Sequence, residues 1–142
     1  LTLVPLATEG LSLRIAKGQE DPLLGWMPRE NHRAIPCAVY SKRGPTPQTL
    51  VTVMLPHPTE QAPAVQAELL AQTPEMVAFR IVREVGEETV LYSFEGPRTM
   101  EAAGIATNGR LAVVRRAPDG ALAGGVVAGT ELTVDGVPVP MP

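Results

Sequence analysis

The sequence predicts an all-β fold, an antiparallel β-sandwich of about ten short strands, with residues 1–142 forming a single domain. Three observations carry this prediction. The 142 residues include 15 prolines, spread so widely that long helices have almost no room. The runs between them are rich in Val, Leu, Ile and Thr, which suit a pleated, half-buried surface. The last third carries turn signals built on glycine at the ~8–12-residue spacing of consecutive hairpins.

Leu1 to Pro5 and Leu11 to Ala16 read as the first strands, with a turn at Thr8-Glu9-Gly10 between them. In Leu11-Ser12-Leu13-Arg14-Ile15 the apolar residues alternate, so three share one face and the two polar ones the other. Residues 17–34 then break the rhythm, and irregular stretches beyond ~12–15 residues are uncommon in compact domains and often functional. Ile35 to Lys42 is the next strand, Arg43 to Pro47 a turn, and Thr49 to Leu55 a strand that ends at Pro56-His57-Pro58. Ala64 to Ala71 holds good helix formers, but Pro63 before it and Pro74 after it favour a strand. Met76 to Glu84 and Glu88 to Phe94 form a hairpin around Val85-Gly86-Glu87. Asn108-Gly109, Asp119-Gly120 and Asp135-Gly136 mark further turns, around strands at Arg110 to Arg116, Ala121 to Val127 and Glu131 to Val134.

Composition excludes several function classes. Pro 15 and Gly 13 make up about a fifth of the chain, below the share that signals disorder, and 44% hydrophobic residues supply a core. No apolar run reaches the ~18 residues of a membrane helix, so no membrane span is expected. The net charge of −3 argues against a nucleic-acid partner. The single cysteine, Cys37, forbids an internal disulfide and a cysteine-rich zinc site, and its apolar run suggests a buried thiol. The chain opens on Leu1 and reads as a fragment of a longer one.

The catalytic inventory is thin. His32 and His57 lack partners at metal-ligand spacing, so no metal and no cofactor is expected. His57, between two prolines, reads as an exposed turn residue, and Glu87-Glu88 as a solvated hairpin tip. No nucleophile elbow or phosphate-cradling loop is present, and Gly124-Gly125 suggests a bulge or close backbone approach. No catalytic residue is assigned. One cluster rises above this background: Trp26 with Arg29, His32 and Arg33, near Asn31. An aromatic ring beside planar guanidinium groups suits stacking on a sugar and pairing with its carboxylate or sulfate. The competing account is that Trp26 plugs one end of the sandwich while the charged groups stay wet.

Gly25-Trp26 followed by Pro28, Ile35-Pro36-Cys37-Ala38-Val39, Gly44-Pro45, and Val51-Thr52-Val53-Met54-Leu55-Pro56 form a series of motifs. Together they resemble the C-terminal β-sheet region of the heparinase II/III-like polysaccharide lyases. The tail, from Asn108 to Arg116 and from Gly129 to Gly136, is also similar. The resemblance implies a parent enzyme that cleaves uronic-acid polysaccharides by β-elimination, with its catalytic residues mainly on an α/α-toroid that this chain lacks. The chain would then be a non-catalytic sandwich whose partner is that toroid, in a periplasmic or secreted protein. Met27 and the run Arg29-Glu30-Asn31-His32-Arg33 depart from the family's usual wording. The alternative is a carbohydrate-binding or adhesion-type module that recognises acidic sugars through Trp26, Arg29, His32 and Arg33. A face that packs on the toroid would be left apolar in the isolated chain and open to self-association into an oligomer, and Leu1, Leu3 and Val4 are candidates for that face.

Overall fold

The computed structural model describes residues 1–6, 8–27 and 33–141. Among these residues thirteen strands follow one another: β1 (Thr2–Leu6), β2 (Leu11–Ala16), β3 (Cys37–Lys42), β4 (Val51–Leu55), β5 (Gln66–Gln72), β6 (Met76–Arg83), β7 (Gly86–Ser93), β8 (Met100–Ala102), β9 (Ile105–Thr107), β10 (Leu111–Arg116), β11 (Leu122–Val127), β12 (Leu132–Val134) and β13 (Val137–Pro138). No helix occurs among the described residues. The strands fall into two compact units, one formed by Leu1–Leu6 with Val51–Pro142, the other by Ala7–Leu50.

The larger unit is an antiparallel sandwich. A five-stranded sheet in the order β11-β10-β7-β6-β5 faces a four-stranded sheet in the order β13-β12-β9-β8. Successive residues of a strand point to opposite faces, and the sequence uses both. On the inner face, Ala78, Leu91, Ala112 and Val114 pack against Met100, Ile105, Leu132, Val134 and Val139. On the outer face, Phe79 and Ile81 meet Leu6 and Val53, because β1 and β4 pair with each other and lie over this side. One strand serves both cores through a bulge. The register of β5 against β6 shifts between Leu69 and Ala71, so Leu69 joins the outer core while Leu70 and Ala71 join the inner one. Pairing with β6 along its length overrides the helical propensity of this segment.

The turns explain most of what sequence pattern marked. Ala117 to Gly120 closes the β10–β11 hairpin, where the Asp119 side chain accepts from the Ala121 amide at 3.0 Å. Asp135 and Gly136 both have positive φ and join β12 to β13, the geometry a two-residue hairpin loop favours. Asn108-Gly109, in contrast, is no left-handed turn, since neither residue has positive φ. There the chain crosses from the four-stranded to the five-stranded sheet instead of reversing within one. Segment 128–131 crosses back beside it, and side chains fasten the two crossings together. Asn108 Oδ1 accepts from the amides of Thr130 (2.8 Å) and Glu131 (3.0 Å), and its Nδ2 donates to Thr130 Oγ1 at 3.1 Å. The Thr107 hydroxyl donates to the Glu131 carbonyl at 2.8 Å and accepts from the Gly109 amide at 3.1 Å.

Two further local expectations change. Glu87 and Glu88 belong to β7 and not to a hairpin tip, because β6 runs to Arg83 and the turn is confined to Glu84-Val85. Cys37 is half-buried at the start of β3, not fully buried. In the smaller unit β2 and β3 form a two-stranded antiparallel ribbon, from Leu11 opposite Lys42 to Ala16 opposite Cys37.

Candidate functional site

The loop between β2 and β3 holds the residues that composition singled out. Gly25 is buried where β2 ends and β3 approaches: a Cβ there would lie 2.6 Å from the Ala16 carbonyl oxygen and 2.8 Å from that of Ile35. Its φ of +73° adds a second requirement for glycine. The Gly25 carbonyl accepts from the Gly18 amide at 3.1 Å and the Ile35 amide at 2.9 Å, which ties the loop to both flanks. Trp26 follows and pairs with Ala34 across a single bridge. Its ring lies against Gly18, and its indole N–H donates to the Gln19 carbonyl at 2.9 Å.

Trp26 is thus half-buried, with its one polar group engaged by its own loop. Arg33 is exposed, and its carbonyl accepts from the Met27 amide at 3.0 Å. Arg29, His32 and Asn31 lie outside the described residues. The Gly-Trp motif therefore has a local structural cause, the closure of a tight loop between strand ends.

His57 is more engaged than its place between prolines suggested. Its Nδ1 lies 2.7 Å from the Thr59 carbonyl, which only accepts, so Nδ1 carries a proton and donates. Nε2 lies 3.1 Å from Thr2 Oγ1 and, in the neutral ring, accepts from that hydroxyl. A hydroxyl, an imidazole and an orienting oxygen in series resemble a nucleophile–base pair in form. Thr2, however, shares the core-facing side of β1 with Val4 and Leu6, so the hydrogen bonds act as a strut joining β1 to the segment after β4. Beside it opens a groove of about 560 Å³ lined by His57, Thr59, Gln61, Pro63, Arg83 and Val85.

Charge concentrates at the same end of the five-stranded sheet. Glu68 of β5 pairs with Arg80 of β6, Arg80 lies 3.6 Å from Glu87 of β7, and Glu87 lies 3.9 Å from Arg116 of β10. Arg83 pairs with Glu88 at 2.9 Å. Opposite charges thus alternate across four neighbouring strands and neutralise one another. All are partly exposed, so each pair contributes about 0–1 kcal/mol.

At the other end of the sheet, Arg110 stands 5.8 Å from the Tyr92 ring centre and donates to its hydroxyl at 3.3 Å. Phe94 meets Tyr92 edge to face at 5.7 Å between ring centres. Sequence inspection missed this cluster because register, not proximity in the chain, sets Leu111 opposite Tyr92.

Among the described residues no three His, Cys, Asp or Glu side chains converge to hold a metal ion. No helix among them is long and apolar enough to cross a membrane. No protein-family model, curated protein or solved structure matches this chain.

Proposed function

We propose that the chain is a non-catalytic β-sandwich of a heparinase II/III-like polysaccharide lyase, packing on the helical catalytic toroid of the same parent chain. The observation that carries this reading is the apolar face of the β2–β3 ribbon. Leu11, Leu13 and Ile15 share that face, yet Leu13 is 54% and Ile15 62% exposed. Two strands alone are marginal in water and gain independent stability by packing an apolar face on something else. Isolated exposed leucines are ordinary, but adjacent ones on one strand face point to a covering partner. The engagement of Trp26 within its own loop supports scaffolding over sugar stacking.

The test is direct. Incubated with heparin, hyaluronan or alginate, the chain alone should yield no ultraviolet-absorbing unsaturated uronate. Product that grows in proportion to the chain would overturn the non-catalytic reading. A saturable change in Trp26 fluorescence on titrating acidic oligosaccharides would replace it with a binding module.

A further inference from the structure

The clasp between the two sheet crossings has a chemical consequence that is independent of the proposed function. Asn followed by Gly is the dipeptide most open to intramolecular deamidation, because glycine offers no side chain to hinder its own amide nitrogen. That nitrogen, after losing its proton to a solvent base, attacks the asparagine Cγ. A C–N bond forms, ammonia leaves with a proton from water, and a five-membered imide remains. Water then opens the imide at either carbonyl. Cleavage at Cγ gives aspartate, and cleavage at the main-chain carbonyl gives isoaspartate, whose backbone runs through the former side chain.

In the folded chain every group needed for ring closure is held elsewhere. The Asn108 carboxamide is turned toward segment 130–131, with Oδ1 on two amides and Nδ2 on the Thr130 hydroxyl. The Gly109 N–H, which must be deprotonated, is hydrogen-bonded to Thr107 Oγ1, and Gly109 is buried beside Val126 and Gly129. Closing the ring requires these bonds to break together.

We propose that Asn108–Gly109 is a gated modification site. While the clasp is closed the carboxamide is inert; once opened it converts to aspartate or isoaspartate, and the isoaspartate form cannot close again. The two products differ for a steric reason. In the aspartate product the new carboxylate still accepts from the amides of Thr130 and Glu131, and the Thr130 hydroxyl can turn to donate. Isoaspartate adds a methylene to the main chain next to Gly109. There a Cβ on the facing Gly129 would already lie 2.7 Å from the Gly109 nitrogen and in closer conflict with its Cα.

Trypsin cleaves after Arg98 and Arg110, so peptide Thr99–Arg110 reports Asn108 directly. The whole chain is incubated at mildly alkaline pH with and without concentrated urea, and this peptide is followed by mass spectrometry. Conversion in native buffer should be at least about tenfold slower than in urea, because it waits on local opening. Thr130→Ala, which removes one exposed contact of the carboxamide, should raise the native rate while leaving the urea rate unchanged. After refolding, the isoaspartate form should unfold at a lower urea concentration than the aspartate form. Equal rates with and without urea would overturn the gate, and equal unfolding midpoints for the two products would overturn the one-way closure.

Discussion

Two glycines, Gly125 in the edge strand β11 and Gly129 in the crossing that follows it, provide a matched test of the close approach between the crossings. A Cβ on Gly129 would lie 2.7 Å from the Gly109 nitrogen and 2.8 Å from Asn108 Oδ1. Two of its three nearest atoms are backbone and cannot rotate away, and φ at Gly129 lies outside the left-handed region, so Gly129→Ala tests contact alone. Overpacking of this kind costs about 1–3 kcal/mol. Pushing segment 129–131 outward also weakens two amide bonds to Asn108, each contributing about 1 kcal/mol, for a total near 3–5 kcal/mol. Gly125, in β11, has open space where its Cβ would go and no positive φ. Gly125→Ala should therefore be neutral or stabilise by about 0.4–1 kcal/mol through the unfolded chain. Thermal unfolding followed by far-ultraviolet circular dichroism separates the two. Gly129→Ala should lower Tm by roughly 6–20 °C, at about 2–4 °C per kcal/mol for a chain near this size, while Gly125→Ala holds or raises it. Equal melting temperatures, or a larger loss at Gly125, would refute the packing argument.

Ser93 is wholly buried, and its hydroxyl has no hydrogen-bond partner. Ser93→Ala removes a desolvated, unpaired group, so urea unfolding should find it neutral or up to about 2 kcal/mol more stable; a loss above about 1 kcal/mol would reveal an unseen partner. Glu87→Gln cuts the middle of the cross-strand charge series and should cost about 1 kcal/mol or less at low salt. That loss should shrink as ionic strength rises, and a salt-independent effect would contradict an exposed electrostatic origin.

Fold class was legible because its signals are local. Alternation in Leu11 to Ile15, the prolines at either end of β5, and the Asp-Gly turns at 119–120 and 135–136 each act within a few residues. What stayed hidden was short or distant. Strands β8 and β9 span three residues each, too few for a period to register, and Ala103 takes positive φ without being a residue that advertises it. Asn108-Gly109 carried a turn signal, yet its environment used the pair for a crossing. Glu87 and Glu88 looked solvated because their arginine partners sit on other strands, and Tyr92 and Arg110 are joined only by the register of β7 and β10. The Gly25-Trp26 loop was correctly located, but its glycine proved to answer a backbone collision that no local pattern encodes.

The pairing of β1 with β4 gives the chain a socket. Leu6 and Val51 lie directly opposite each other, so the polypeptide leaves and re-enters the sandwich at neighbouring points about 5 Å apart. Any segment whose own ends meet at that spacing satisfies the same attachment, whatever lies between. Residues 7–50 are in this sense an exchangeable cartridge: replaced by a short turn, or by an unrelated hairpin, they would leave the β1–β4 ladder intact.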